Sequence, residues 1–188
     1  MNIASRRLLI LVVAWGTAAA AAGSAHLLAR VPVPVVPLFV ALPAALLAAG
    51  MLRAGWLNSA MAALGTRGIL AAHLVRFIGL YFIWLEARGR LAPEFAQRAG
   101  WGDVVAAAGA LALLFWPRGP SFRRAVAVWN AVGLLDLLVA VGTATWLNVT
   151  RPGSVNELAG LPLALVPLWL VPMLLASHLY LIRGAGSD

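Results

Sequence analysis

The sequence predicts an all-α protein, a polytopic transmembrane helical bundle, from three observations. Of its 188 residues, 63% are hydrophobic and only 11% are charged, whereas a soluble domain has about 25% charged residues. Six apolar stretches approach or reach the ~20 residues that a helix needs to cross a ~30 Å hydrocarbon core. All 14 basic residues are arginine, and alternate connections between the stretches contain more of them than the others do. We therefore predict six spans in a single domain that covers residues 1–188.

The predicted spans follow one another along the chain, at residues 8–29, 31–52, 68–87, 101–117, 125–147 and 161–182. The fourth is the weakest and reaches span length only with Gly100–Gly102 and Pro117 in the interfaces. Two connections, 55–66 and 91–99, are predicted to form short interfacial helices with one apolar side. Span one is predicted to stay uncleaved, although Arg6 and Arg7 before an apolar run that ends in small residues also fit a signal peptide.

The placement of the arginines predicts the orientation, because basic residues in short loops are retained on the cytoplasmic side. With the N-terminus inside, the inner connections hold the larger set and the outer connections the smaller one. We therefore expect both termini in the cytoplasm and a multi-pass protein of a bacterial inner membrane, surrounded by the lipid bilayer. The inner set is Arg6, Arg7, Arg53, Arg67, Arg118, Arg123, Arg124 and Arg183, and the outer set is Arg30, Arg88, Arg90, Arg98 and Arg151.

Five polar residues within the predicted spans form a candidate polar centre. Ionisable groups at bilayer depth cost about 2.5 to 3.5 kcal/mol each on insertion scales, so they are expected to have partners. Arg76 and Asp136 have opposite charges at similar depth, which predicts an ion pair. His73 and His178 lie at one level near the cytoplasmic ends of their helices, and Asn130 is expected to hydrogen-bond to His73. The pair either fixes helix register only or acts as a gate or proton relay.

Span three has a stripe of residues at α-helical spacing, which predicts that they share one face of the helix. The stripe is polar near the cytoplasmic end and apolar beyond it. It consists of His73, Arg76, Phe77, Leu80 and Trp84.

Three carboxylates flank the connection between spans three and four, and they define a predicted outer mouth: Glu86, Glu94 and Asp103. Asp103 is predicted in the first turn of span four, where a carboxylate meets free backbone N–H groups. Arginines are interspersed among the three, which argues against a cation site. No metal site is therefore predicted.

The sequence assigns no catalytic residue. It has no cysteine, and it lacks a phosphate-binding loop, a paired-histidine zinc motif and a nucleophile elbow. Whether the protein is an enzyme stays undecided, with a non-enzymatic role favoured, and nothing supports a nucleic-acid partner. No cofactor is predicted, except that His73 and His178 leave a haem b with two axial histidines open as an alternative.

Several spaced motifs occur in one order between Arg76 and Tyr180. They are Arg76 with Gly79, LAPEFA at 91–96, AGWGD at 99–103, WN at 129–130 with GLLD at 133–136, LALVP at 163–167, VP at 171–172 and His178. In these motifs the chain resembles a group of small uncharacterised bacterial integral membrane proteins. The resemblance implies a helical protein of the bacterial inner membrane and brings no activity, cofactor or catalytic residue with it.

The leading functional hypothesis is a small transporter or channel-like protein, either a homo-oligomer or part of a membrane complex. In this hypothesis the five residues of the polar centre line a path through the bundle, beside helices that prolines make irregular. Two alternatives remain: a structural or accessory membrane subunit without transport, and a haem protein with two axial histidines.

Overall fold

The computed structural model describes residues 2–53 and 55–184, and the regular structure in these ranges is entirely helical. Six helical segments are long and apolar enough to cross a membrane, so the prediction of an all-α chain with six such helices is confirmed. They are Ile3–Ser24, Val33–Met51, Gly55–Glu86, Pro93–Phe115, Pro120–Thr150 and Val166–Arg183.

Short 3-10 and π-helical segments interrupt or join the α-helices. The α-helices are α1 (Ile3–Ser24), α2 (Leu27–Arg30), α3 (Leu38–Arg53), α4 (Gly55–Ala72), α5 (Gly79–Glu86), α6 (Pro93–Phe95), α7 (Trp101–Phe115), α8 (Pro120–Thr150) and α9 (Val171–Gly184). The 3-10 segments are Val33–Val35, His73–Ile78 and Asn156–Ala159, and the π-helical ones are Ala96–Gly100 and Val166–Leu170.

Two helices begin earlier than predicted, and local chemistry explains both starts. α1 begins at Ile3 because Asn2 caps it, with the Ser5 backbone N–H donating to Asn2 Oδ1 at 2.8 Å. α8 begins at Pro120, since proline in a first helical turn has no N–H to leave unsatisfied.

The prediction of a separate interfacial helix at 91–99 is wrong, because the chain stays helical without a break from Pro93 to Phe115. Gly100 and Gly102 lie inside this continuous helical segment. Asp103 lies in the first turn of α7, as predicted, but the π-helical turn Ala96–Gly100 directly precedes that turn, so Asp103 does not cap a free helix end. The other predicted interfacial segment, 55–66, lies in α4, which breaks near that segment's end at Gly65, where φ is 66° and ψ is 170°.

The chain forms two compact units, one of residues 1–65 and 156–176 and the other of residues 66–155 and 177–188. The first unit has an apolar core against which Trp169 packs. Trp169 Nε1 donates to the Val12 carbonyl at 3.0 Å, and a Cβ at Gly16 would lie 3.1 Å from the indole. The core residues are Ala19, Leu28, Ala159, Ala164 and Leu168.

The second unit contains the candidate polar centre, and the 3-10 segment His73–Ile78 determines which side chains face into it. A 3-10 helix has three residues per turn, and the two buried residues of this segment, His73 and Arg76, are three apart. The buried residues of the following helix, α5, are Gly79, Phe82 and Leu85. The predicted stripe at α-helical spacing is therefore wrong beyond Arg76. Leu80 and Trp84, which it included, are 53% and 41% exposed.

Candidate functional site

Arg76 is the most deeply buried charged residue of the second unit, at 1% exposure, and all three of its nitrogens have partners. Nε donates to Asp103 Oδ1 at 2.7 Å, Nη1 donates to the Gly133 carbonyl at 3.2 Å, and Nη2 donates to Asp136 Oδ2. The predicted ion pair between Arg76 and Asp136 is confirmed. The guanidinium thereby joins the 3-10 segment to both α7 and α8.

Asp103 belongs to this centre rather than to an outer mouth. Its side chain is buried and forms an ion pair with Arg76, from which it is 27 residues distant in the chain. One guanidinium thus faces two carboxylates, which gives the cluster of Arg76, Asp103 and Asp136 a formal charge of −1 when all three are ionised. We call these three residues the charge cluster.

Glycines allow the three helical segments to approach closely enough to form the charge cluster. A Cβ at Gly79 would overlap the Gly100 carbonyl oxygen, so the start of α5 and the π-helical turn before α7 are in backbone contact. A Cβ at Gly102 would overlap the Asp136 carboxylate. Small residues at helix crossings let backbones meet in this way, and here they carry Asp103 and Asp136 to the guanidinium.

A third glycine, Gly133, makes room for two functional side chains. A Cβ there would lie 2.8 Å from His178 Cε1 and 3.1 Å from both His178 Nε2 and Arg76 Nη1. The imidazole of His178 and the guanidinium of Arg76 therefore meet over the bare backbone of α8. Gly133 connects the charge cluster to the histidines.

His73 and His178 are fully buried and face each other, as their equal depth predicts. Their ring centroids lie 4.5 Å apart with an interplanar angle of 64°. His73 also meets the Trp129 ring edge to face, at 4.9 Å and 84°. His73 Nε2 is hydrogen-bonded to Ser177 Oγ at 2.8 Å, a partner that the sequence did not single out.

The predicted hydrogen bond between Asn130 and His73 is wrong, because Asn130 binds His178 instead. Its Oδ1 lies 2.7 Å from His178 Nδ1, and its Nδ2 donates to the His178 carbonyl oxygen at 3.2 Å. α9 offers Asn130 two complementary partners on one residue, which explains the choice. We call His73, His178, Asn130 and Ser177 the histidine cluster.

Two imidazole nitrogens in the histidine cluster have no hydrogen-bond partner among the residues that the structure describes: His73 Nδ1 and His178 Nε2. Buried side-chain polar atoms are satisfied in the large majority of cases. These two nitrogens are therefore the atoms of the cluster that are available to a proton or a small polar ligand.

The packing of the two histidines does not favour haem. Their rings are in direct contact, which leaves no gap for a porphyrin between them, and one nitrogen of each is already hydrogen-bonded. Haem ligation stays a prediction of the sequence, and the visible absorption spectrum of protein expressed with ample haem tests it. In the described ranges 2–53 and 55–184, no three metal-ligating side chains are grouped together.

The carboxylates of the predicted outer mouth do not converge on one point, because each has its own partner. Glu86 accepts a hydrogen bond from Gln97 Nε2 at 2.5 Å. Glu94 forms an ion pair with Arg151 at 2.5 Å, between half-exposed side chains. With Asp103 bound to Arg76, this set does not form a common site.

Comparison with known proteins gives a family and no activity. No curated protein and no solved structure matches the chain. A family model described as a domain of unknown function (DUF8737) matches residues 33–184, which is well over half of the sequence and includes both clusters. The chain therefore belongs to the DUF8737 family.

Proposed function

We propose that this protein is a small channel-like transporter of the bacterial inner membrane that carries protons, with both termini in the cytoplasm. The six membrane-length helices and the excess of arginine in the predicted inner connections support the location and the orientation. The proposal includes assembly as a homo-oligomer or within a larger membrane complex.

The proposal rests mainly on one observation: two carboxylates, those of Asp103 and Asp136, pair with the single guanidinium of Arg76. Buried ion pairs are often no more stable than apolar packing of the same volume, so a second carboxylate on one guanidinium is a poor means of fixing helix register. The excess charge of −1 is balanced most simply by one proton on Asp103 or Asp136. A buried group that holds a proton beside others that exchange it is what a proton carrier requires.

The two clusters together supply such neighbouring groups. The charge cluster and the histidine cluster meet at Gly133, where Arg76 Nη1 and His178 Nε2 both lie 3.1 Å from the position that a Cβ would occupy. Chains of Asp, Glu and His inside a helical bundle mark proton relays in pumps and transporters. An arginine in a pore normally repels protons, but the charge of Arg76 is offset by the aspartates that pair with it.

Proton flux into vesicles tests the proposal. Purified protein is reconstituted into liposomes that contain a pH-sensitive dye, and a potassium gradient with valinomycin imposes the membrane potential. We expect faster pH change than in protein-free liposomes, and a rate near that of protein-free liposomes for Asp136→Asn and Asp103→Asn. Glu94→Gln is the matched control, because it removes a carboxylate from the separate pair with Arg151 and should keep the flux. A wild-type rate equal to that of protein-free liposomes would contradict the proposal.

A second candidate is an accessory membrane subunit without transport, and one observation favours it. Every nitrogen of Arg76 is engaged in a contact at 1% exposure, as expected of a group that only locks helices together. This candidate predicts no proton flux but a large loss of stability when Arg76 is replaced. The same liposomes, with an unfolding measurement beside them, separate the two candidates.

A further inference from the structure

We propose that Asn130 is a positioning residue that holds His178 as its neutral Nδ1–H tautomer, which makes Nε2 of His178 the atom that accepts a proton beside the charge cluster. The role of Nε2 in proton transfer rests on the proposed function. The tautomer itself rests only on the hydrogen bonds in the second unit.

The two hydrogen bonds between Asn130 and His178 fix the orientation of the amide. The His178 carbonyl oxygen is an acceptor only, so the Asn130 atom that lies 3.2 Å from it is the NH2 group. The Asn130 atom that faces the imidazole at 2.7 Å is then the amide oxygen, which can only accept. Nδ1 of His178 must therefore carry the hydrogen of this bond.

A neutral imidazole has a single N–H, so Nε2 of His178 presents a lone pair. This nitrogen is fully buried, and it has no hydrogen-bond partner within residues 2–53 and 55–184. It lies 3.1 Å from the position that a Cβ on Gly133 would occupy, the same distance as Arg76 Nη1. Nε2 and the Arg76 guanidinium therefore both lie beside Gly133. A neutral imidazole is favoured at this place, because an imidazolium would put a second cation next to Arg76.

The groups that surround His178 determine which charges change when it accepts a proton. Arg76 and His73 face it from the 3-10 segment, Asn130 and the Trp129 ring from α8, and Ser177 precedes it on α9. In the forward step the O–H bond of the protonated carboxyl in the charge cluster breaks, and an N–H bond forms at Nε2. The carboxylate regains its negative charge, which offsets the new imidazolium, and the reverse step restores both groups.

Nitrogen NMR tests the tautomer without reference to transport. Protein labelled with 15N at histidine is placed in lipid nanodiscs, and the shifts of Nδ1 and Nε2 identify the protonated nitrogen; the signals missing from His178→Asn give the assignment. We expect the Nδ1–H form in the wild type and in Asn130→Asp, whose carboxylate also accepts from Nδ1. Asn130→Leu should lose it, while Asn148→Leu, the same substitution on the same helix, should keep it.

An Nε2–H form in the wild type, or an unchanged tautomer in Asn130→Leu, would overturn the assignment. The liposome assay tests the role of the atom: Asn130→Leu should fall to the rate of protein-free liposomes and Asn130→Asp should retain flux. Full flux in Asn130→Leu with an altered tautomer would overturn proton acceptance by Nε2 and leave the proposed function standing. A wild type without flux would overturn the proposed function and the role of Nε2 together, and the tautomer would still be decided by the spectrum.

Discussion

Arg76 Nε donates to Asp103 Oδ1 at 2.7 Å, and this contact turns an expected ion pair into a three-residue charge cluster. The two aspartates lie on different helices, α7 and α8, and Arg76 is their common partner. The consequences for stability and function depend on this shared guanidinium.

Replacement of Arg76 should destabilise the protein more than replacement of either aspartate. Arg76→Gln removes the cation that both aspartate side chains face, and loss of one partner of a buried pair costs about 3 to 5 kcal/mol. Asp103→Asn and Asp136→Asn each leave one complete pair, so they should cost less. Denaturant unfolding of the detergent-solubilised variants measures the order, and a milder effect for Arg76→Gln than for both aspartate variants would contradict it.

A double-mutant cycle isolates the energy of the pair itself. In the Asp136→Asn background, Arg76→Gln should cost less free energy than it does in the wild type, because only one aspartate side chain then loses its cation. The same should hold with Asp103→Asn. Additive effects in both cycles would mean that the contacts in the charge cluster carry no energy.

Gly133→Ala should disrupt the meeting point of the two clusters. Its Cβ would come within 2.8 Å of His178 Cε1 and 3.1 Å of Arg76 Nη1, and overpacking of this kind typically costs about 1 to 3 kcal/mol. Gly142→Ala is the control on the same helix, since nothing lies within 4 Å of its Cβ. Alanine has the higher helix propensity, so Gly142→Ala should leave the unfolding free energy unchanged or raise it; equal losses at the two positions would refute the argument.

Gly102→Ala should act through Asp136 alone. The added Cβ occupies the place of the Asp136 carboxylate, so it should lower both the stability and the proton flux. In an Asp136→Ala background that space is free, and the added loss of stability should largely vanish. An undiminished loss in that background would point to a different clash.

The proposed topology can be tested with single cysteines, because the natural chain has none. Ala87→Cys lies in the connection after α5 and Ser121→Cys at the start of α8, and both side chains are exposed. A membrane-impermeant maleimide on intact cells should label Cys at 87 and spare Cys at 121 until the cells are permeabilised. The opposite pattern would reverse the orientation.

Charge and depth along the helices were enough to predict part of the site. The pair of Arg76 and Asp136 was predicted correctly, because a buried charge needs a partner of opposite sign. The equal depth of His73 and His178 was predicted from the uniform rise per residue of a helix. Charge and depth failed where a helix departs from α geometry. The 3-10 turn at His73–Ile78 changed which residues of span three are buried, and no motif in the sequence marks such a turn.

The placement of Asp103 shows a second limit. Two glycines, Gly100 and Gly102, lie just before Asp103, where the sequence predicts the first turn of span four. In the structure they serve helix packing: Gly100 meets Gly79, and Gly102 meets the Asp136 carboxylate. A glycine that allows close approach cannot be told from one that begins a helix until its neighbour in space is known. Depth alone could not identify the partner of Asn130 either, because His73 and His178 lie at the same level and Asn130 binds His178.

Infrared spectroscopy of the protein in lipid can detect the proton that we propose on the charge cluster. A protonated carboxyl has a C=O stretching band that a carboxylate lacks, and pH-induced difference spectra should show it in the wild type. The band should be retained in Glu94→Gln and absent from the double variant Asp103→Asn with Asp136→Asn. A wild type without the band at any pH at which it is folded, or a band that persists in the double variant, would show that neither aspartate of the charge cluster holds this proton.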